Sequence, residues 1–379
     1  MVNGNLSEVV CSISSGTTTT HKVDGAYAVY GSTGPIGYTE NPDYFGEKIL
    51  VARVGANAGT TNIVSGAYGV SDNTLIVEVK PICETKYVFY SLKYAKLNQL
   101  VFGSGQPLIT GSLLKSVELY IPDKESQKQI ADILSDIDGF ILTVEKQIEK
   151  KKVIKQGAMQ DLLTGKKRLP GFSGEWINFN LMKHSKIKAR IGWQGLKKSE
   201  YLDSGYALLI TGTDFDDGKV KWDSCHYVTR SRYDQDRNIQ IQNNDILITK
   251  DGSLGKAALV QGLTKPATLN SGIFVIRPMQ NAYDPVFVYH ILSSFVFKDF
   301  LDKLSAGSTI IHLYQKDICK FEFLLPPTIE EQEAIAALLS EMDSEIEALQ
   351  QKLEKYRQLK QGMMQQLLTG KIRLVQGVE

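Results

Sequence analysis

The sequence predicts two similar globular domains of α+β or α/β type, separated by two long helices that pair as an antiparallel coiled coil. Three observations carry that expectation. Residues 122–169 recur without a gap at 327–374, every position mapping by 205, with nearly half of the aligned residues identical. Inside each copy the apolar residues step by four and three: Ile130, Leu134, Ile137, Ile141, Val144 and Ile148, then Ile335, Leu339, Met342, Ile346, Leu349, Leu353 and Tyr356. Such spacing is a heptad seam. The stretches ahead of the two copies share a fainter common order, so the duplication extends over nearly the whole chain as an internal pseudo-twofold.

The expected divisions are a first domain at 1–121, a long helix at 122–169, a second domain at 170–326, a second long helix at 327–374 and a tail at 375–379. Pro122 and Pro327 stand at the helix starts, where a missing N–H is tolerated, and Gly165 and Gly370 follow the ends, where a left-handed residue closes a helix. About 40 residues at roughly 1.5 Å each make a rod on the order of 60 Å. A single apolar stripe needs a partner, and the second copy supplies one. The first helix delivers the chain to the second domain and the second helix leaves it, so paired copies run antiparallel.

Within the first domain, Tyr27–Gly37 reads as a short strand entering a Gly/Pro turn, Ile49–Val51 and Leu75–Val79 as strands, and Tyr87–Leu100 as an amphipathic helix. The second domain repeats the order with Ile246–Ile248, Phe274–Ile276 and Val286–Leu304. The glycine loop from Arg53 to Asn62 is answered in the second domain, where Ile246–Lys256 lies as Ile49–Gly59 lies in the first, with its loop one residue shorter. Ser104–Ile109 is matched to Ala306–Ile311.

Composition narrows the class. The chain of 379 residues has a net charge of +1, distributed as −1 over 1–121, +2 over 122–169, +3 over 170–326 and −3 over 327–379. Any nucleic-acid contact is therefore local. No run approaches 18 apolar residues, and no charged-then-apolar segment opens the chain, which predicts a soluble, cytoplasmic protein without a membrane partner. Cys11, Cys83, Cys225 and Cys319 stand alone, which disfavours a metal site or a disulfide framework. Asn41-Pro42-Asp43-Tyr44 departs from the N-P-P-Y of amino-methyltransferases at its third position and lacks a cofactor loop. Asp72 with Glu84 and Lys86 matches a metal-nuclease spacing only faintly. Gly252–Lys256 is too short for a phosphate-cradling loop, and Ala257 replaces the Mg²⁺-binding hydroxyl. No catalytic residues are assigned.

The opening of each copy, P-x4-Q-x2-I (Pro122, Gln127, Ile130; Pro327, Gln332, Ile335), and the shared exit K-Q-G-x-M-Q-x-L-L-T-G-K resemble specificity subunits of type I restriction-modification systems. The resemblance is close over both helices and looser over the domains. It implies a non-catalytic subunit whose two target-recognition domains each read half of a bipartite, asymmetric double-stranded DNA target, with the rods setting the unread gap. It also implies two methyltransferase subunits and restriction subunits as partners. S-adenosylmethionine, ATP and Mg²⁺ then belong to those partners, and this chain binds no cofactor. A two-headed protein-bridging scaffold, or the specificity subunit of a fused restriction-methylation enzyme, remain the alternatives.

Candidate DNA contacts follow from the residue types. Arginine and lysine bind guanine O6 and N7, asparagine and glutamine pair with adenine, and backbone amides beside glycine hold phosphates. In the first domain these are Arg53, Asn57, Thr60, Thr61 and Asn62, with Ser32, Thr33 and Gln106. In the second they are Lys250, Ser253, Lys256, Ser308, Thr309 and His312. A basic run of Lys183, Lys186, Lys188, Arg190, Lys197 and Lys198, with no acid from Trp176 to Ser199, joins them.

Overall fold

The computed structural model describes residues 2–19, 24–100, 108–305 and 312–374. The chain forms two compact units, one of Met1–Gln147 with Leu349–Glu379, the other of Ile148–Ala348. The boundary falls inside both long helices, Lys124–Leu162 and Ile329–Leu367, each of 39 residues. Each unit therefore holds one head, the start of one long helix and the end of the other.

The seam is buried as its spacing requires. Ile130, Leu134, Ile137, Val144 and Ile148 are buried on the first helix, and Ile335, Leu339, Ile346 and Leu353 on the second. Direction is fixed by ion pairs within each unit. In the first unit Lys360 Nζ donates to Asp138 at 2.6 Å and Arg357 to Glu145 at 2.8 Å. In the second Lys151 donates to Glu345 at 2.6 Å and Lys155 pairs with Asp343. As numbers rise along one helix they fall along the other, so the pairing is antiparallel in each unit. Lys155–Asp343 and Lys360–Asp138 are the same pair, repeated 205 residues on. Elsewhere the repeat diverges: Phe140 stacks on Tyr356 at 5.9 Å in the first unit, where the second has Glu345 and Lys151. Exposed ion pairs add little stability, and the seam supplies the larger share.

Both helices close on a glycine in left-handed conformation, Gly165 at φ +70° and Gly370 at φ +69°. At Gly370 a Cβ would come within 2.7 Å of the Tyr120 ring, so the site demands glycine twice over.

Each head stacks two sheets. In the first, an antiparallel sheet takes the order Val10–Ser15, Thr74–Val79, Lys48–Ala52, Thr61–Val64. The other contains Gly34–Thr39, Tyr27–Gly31, Ala67–Val70 and Tyr44–Phe45, with one parallel pair between Tyr27–Gly31 and Ala67–Val70. In the second head the matching antiparallel order is Ser185–Ala189, Ile273–Pro278, Ile246–Thr249, Ala257–Leu259, extended by Lys219–Val220 and Phe215–Asp216. Its smaller sheet, His226–Val228, Ala207–Ile210 and Ala267–Leu269, again holds one parallel pair. The heads share a core strand order, to which the second adds an extension joined to Ala257–Leu259 by a parallel pairing of Lys219 with Leu259.

Three local expectations are corrected. Tyr27–Gly37 is a hairpin rather than a strand and turn, because Pro35 lies on an edge strand that needs no N–H donor there. Tyr87–Leu100 divides into a helix Thr85–Tyr94 and a 3₁₀ turn Leu97–Leu100, broken where Lys96 turns to φ +48°. Val286–Leu304 divides into Pro285–Leu292 and Phe295–Ser305. There Ser294 Oγ accepts from Val296 N at 3.1 Å and restarts the helix as an N-cap.

Head cores and helix ends are one hydrophobic body in each unit. Leu367 and Leu368, from the far end of the second long helix, complete a core with Ile130, Ala131 and Leu134, the inner face of the Thr85–Tyr94 helix, and the first antiparallel sheet. Leu162, Leu163, Ile335, Ala336 and Leu339 do the same in the second unit. A buried glutamine joins helix to head. Gln127, 2% exposed, accepts from Glu84 N at 2.9 Å and donates to the Pro122 carbonyl at 2.8 Å. Gln332, also 2% exposed, accepts from Asp284 N at 2.8 Å and donates to Pro326 O at 3.1 Å. Each amide thus satisfies the N–H of the residue that caps a head helix and the carbonyl of a proline between the preceding strand and the rod.

Two outcomes follow. Gln127→Ala and Gln332→Ala orphan a backbone group at both ends of the lost side chain, and each should cost about 2 kcal/mol in denaturant unfolding. Second, burial, reinforced by Lys155, holds His290 down at about 3, with its Nε2 3.2 Å from Ser340 Oγ. An unfolded histidine titrates near ~6.5. Between those values only the unfolded chain takes up the proton, so this contribution is complete above about pH 6.5 and is lost as pH falls. Urea midpoints should report a loss of roughly 2 kcal/mol between pH 6.5 and 5 that His290→Gln removes.

Candidate nucleic-acid interface

The glycine loops of the two heads are built by the same backbone hydrogen bonds. In the first head Ala52 N donates to Thr60 O at 2.8 Å, Gly59 N to Ala52 O at 2.9 Å, and Arg53 N to Asn73 O at 2.9 Å. In the second Thr249 N donates to Lys256 O at 3.0 Å, Gly255 N to Thr249 O at 2.9 Å, and Lys250 N to Gly272 O at 2.9 Å. Gly55 and Gly59 have φ of +79° and +91°, and Gly252 and Gly255 +70° and +74°. Arg53 and Lys250 therefore occupy one equivalent position, and the second loop is shorter by the residue the sequence comparison suggests.

Around Arg53 the structure gathers a small polar group. One guanidinium nitrogen donates to Ser15 Oγ at 3.2 Å. Ser32 Oγ donates at 3.1 Å to the same Asn73 carbonyl that anchors the Arg53 backbone. Thr33 is exposed at the hairpin tip, Asn57 and Thr60 are exposed on the loop, and Asn62 is half-buried. Thr61 is 5% exposed and its hydroxyl donates to Gly59 O at 3.2 Å, so it shapes the loop. Gln106, Ser308 and Thr309 lie outside the described residues.

In the second head Lys250 Nζ stands 5.5 Å from the Phe274 ring centroid. Ser253 is exposed, and its carbonyl accepts from the Thr249 hydroxyl. Lys256 extends to the Phe215 carbonyl at 2.7 Å, which ties the loop to the strand beneath. His312 Nδ1 lies 2.7 Å from Asp251 Oδ1, both about half-exposed.

The basic run does not form one face. Lys186 and Lys188 alternate outward on the edge strand, and Lys183, Lys197 and Lys198 are exposed around it. Arg190 is the correction: it is 2% exposed, with Nε donating to Leu269 O at 2.8 Å and Nη2 to Thr268 Oγ1 at 3.2 Å. It staples the larger sheet of its head to the smaller one. Burial and then the nearby Arg232 lower its pKa.

The match of Ser104–Ile109 with Ala306–Ile311 also shifts. Ile109 N donates to Arg53 O at 2.8 Å and Leu313 N to Lys250 O at 3.1 Å, so Ile109 corresponds to Leu313. Buried Leu114 and Ile318 continue that alignment. Sequence reading missed Asp251 and Tyr314 as members of this surface. The signal available was the buried apolar residue of each segment, Ile109 or Leu313, which sets the register better than the small residues before it.

Two heads of one core strand order, each presenting an equivalent cationic loop on a duplicated helical scaffold, define a two-headed recognition subunit. The family model described as type I restriction modification DNA specificity domain matches residues 3–156 and 191–356. The chain belongs to this family, and is a type I restriction-modification specificity subunit with two target-recognition domains. That is a non-catalytic role. It is 29% identical over 346 residues to the type I restriction enzyme MjaVIII specificity subunit of Methanocaldococcus jannaschii, covering 86% of this chain and 79% of that one. A putative MjaX specificity subunit from the same organism is 28% identical over 305 residues, covering 77% and 69%. The fold is similar to the crystal structure of a type I restriction-modification S subunit from M. genitalium, at TM-score 0.69 and 17% identity over 97% of this chain and 96% of that one. No helix among the described residues is long and apolar enough to cross a membrane.

The two kinds of cation separate in a stability measurement. Arg190→Ala leaves the Leu269 carbonyl and the Thr268 hydroxyl without their buried donor and should cost about 2–3 kcal/mol. Lys188→Ala, on an exposed strand face, should stay within about 0.5 kcal/mol of the parent chain.

Proposed function

We propose that each head reads one half of a bipartite, asymmetric sequence in double-stranded DNA, and that the paired helices set the unread gap between the halves. The observation that carries this reading is the equivalent loop. One backbone scaffold, held by the same hydrogen bonds, presents Arg53 with short hydroxyl and amide groups in one head, and Lys250 with Asp251 and His312 in the other. A common frame with different side chains is what two different half-sites require. Bidentate base contacts discriminate by about 1–3 kcal/mol each, and two tethered heads multiply their selectivity.

The exposed lysines of the second head, Lys183, Lys186, Lys188, Lys197 and Lys198, are suited to phosphates rather than bases, since a flexible ammonium carries charge without a fixed fork. The helices are the surfaces proposed for two methyltransferase subunits, with restriction subunits on the assembled complex in the cytoplasm. S-adenosylmethionine, ATP and Mg²⁺ are then consumed by those partners. This chain contributes selection.

The test maps methylated adenines in cells expressing the chain with its methyltransferase partner. Arg53→Ala should alter the half-site read by the first head and Lys250→Ala the half-site read by the second, each relaxing base choice by about tenfold or more if it touches a base. A uniform loss of affinity with a shallower salt dependence would assign the residue to phosphate. Unchanged methylation in both variants would show that the loops do not read DNA.

A further inference from the structure

With Ile109 equivalent to Leu313, and Arg53 to Lys250, the residues beside them also pair off. Val54 corresponds to Asp251 and Leu108 to His312. In the first head Val54 and Leu108 form an isolated antiparallel bridge between two half-buried apolar residues. In the second head the same two positions hold a hydrogen-bonded acid and imidazole, 2.7 Å apart. One scaffold thus carries an apolar pair in one head and a polar pair in the other.

The polar pair lines a hollow of about 220 Å³ with Lys250, Leu313 and Tyr314. Tyr314 is 55% exposed, with its ring 6.1 Å from that of His312 and Lys316 Nζ 5.5 Å from its centroid. The next residue, Gln315, donates to Ile187 O at 3.3 Å, which fastens this segment to the edge strand bearing Lys186 and Lys188. An aromatic ring, an imidazole held by a carboxylate and the Lys250 cation line one exposed concavity, with Lys316 beside Tyr314.

We propose that Asp251–His312 is a specificity-determining pair of the second head, and that it reads a hydrogen-bond-donating base edge, adenine N6 or cytosine N4, in the major groove. This inference rests on the two-headed reading above. A carboxylate accepts only, so the Asp251 contact places a hydrogen on Nδ1, and in the neutral ring Nε2, which has no hydrogen-bond partner among the described residues, is an acceptor. An exocyclic amine is the complementary edge. Val54 and Leu108 offer no such acceptor, and suit an apolar contact such as the thymine methyl. The pair is thus a point where the heads differ in chemistry while sharing a backbone.

The first head shows that this backbone accepts an apolar pair, which supplies the experiment. The double variant Asp251→Val, His312→Leu is expressed with the methyltransferase partner and its methylated sites are mapped base by base. We expect discrimination to fall about tenfold or more at one A or C position of the half-site read by the second head, with the other half-site unchanged. Which base was preferred there distinguishes adenine from cytosine. If the double variant does not accumulate, His312→Gln, which leaves the fold's apolar contacts alone but moves the acceptor, must change discrimination at one position of the same half-site. Unaltered base choice throughout that half-site, with the parental bipartite site intact, overturns this inference alone. A parental complex that methylates without sequence choice overturns the two-headed reading and this inference together.

Discussion

A single buried amide at the start of each rod connects everything else in its unit. Gln127 and Gln332 are both 2% exposed, and each ties the N–H of the residue capping a head helix to the carbonyl of the proline that follows the preceding strand. In a low-dielectric interior neither backbone group could be left unpaired without a penalty of about 1–3 kcal/mol. An apolar side chain would pack there and satisfy neither. The same turn directs Ile130 and Leu134, or Ile335 and Leu339, onto the head core. The P-x4-Q-x2-I spacing thus marks one joint: a proline between strand and rod, a glutamine that clamps the carbonyl of Pro122 in one copy and of Pro326, one before the motif proline, in the other, and an isoleucine that begins the seam.

That joint explains the different divergence of rods and heads. A rod residue answers to two surfaces, because the start of one long helix and the end of the other share a core with a head. Asp138 with Lys360 and Asp343 with Lys155 retain the same partners in both units. Leu367 and Leu368 fill the first head's core just as Leu162 and Leu163 fill the second's. A head loop answers only to its backbone. Arg53 can stand where Lys250 stands, and Val54 where Asp251 stands, provided the glycines keep their left-handed conformations and the carbonyls keep their donors. Chemistry is free to vary on a frame that is not.

Charge is where residue type misleads. Lys188 and Arg190 are two residues apart in one basic run, and alternation along an extended chain would put them on one face. The edge strand ends at Ala189, and the chain turns into the head. Arg190 then finds Leu269 O and Thr268 and becomes part of the interior. Lys256 is likewise spent on a carbonyl. Of the cations singled out from composition, those on the strand face remain free to meet a phosphate, whereas Arg190 holds two sheets together.

The sequence by itself determined the duplication, the two long helices, their antiparallel pairing and the equivalence of the glycine loops. Each of these is written in local spacing: a heptad period, a proline and a glycine at fixed offsets, a strand followed by small residues. It also carried the motif that marks the family. Only the tertiary structure decided that each compact unit takes half of both helices, since that depends on which apolar faces share a core. It likewise decided that Arg190 is interior, that Ile109 aligns with Leu313, and that Asp251 meets His312 across 61 residues of chain. These are contacts between segments remote in sequence, and no periodicity or residue type encodes a partner that only folding brings near.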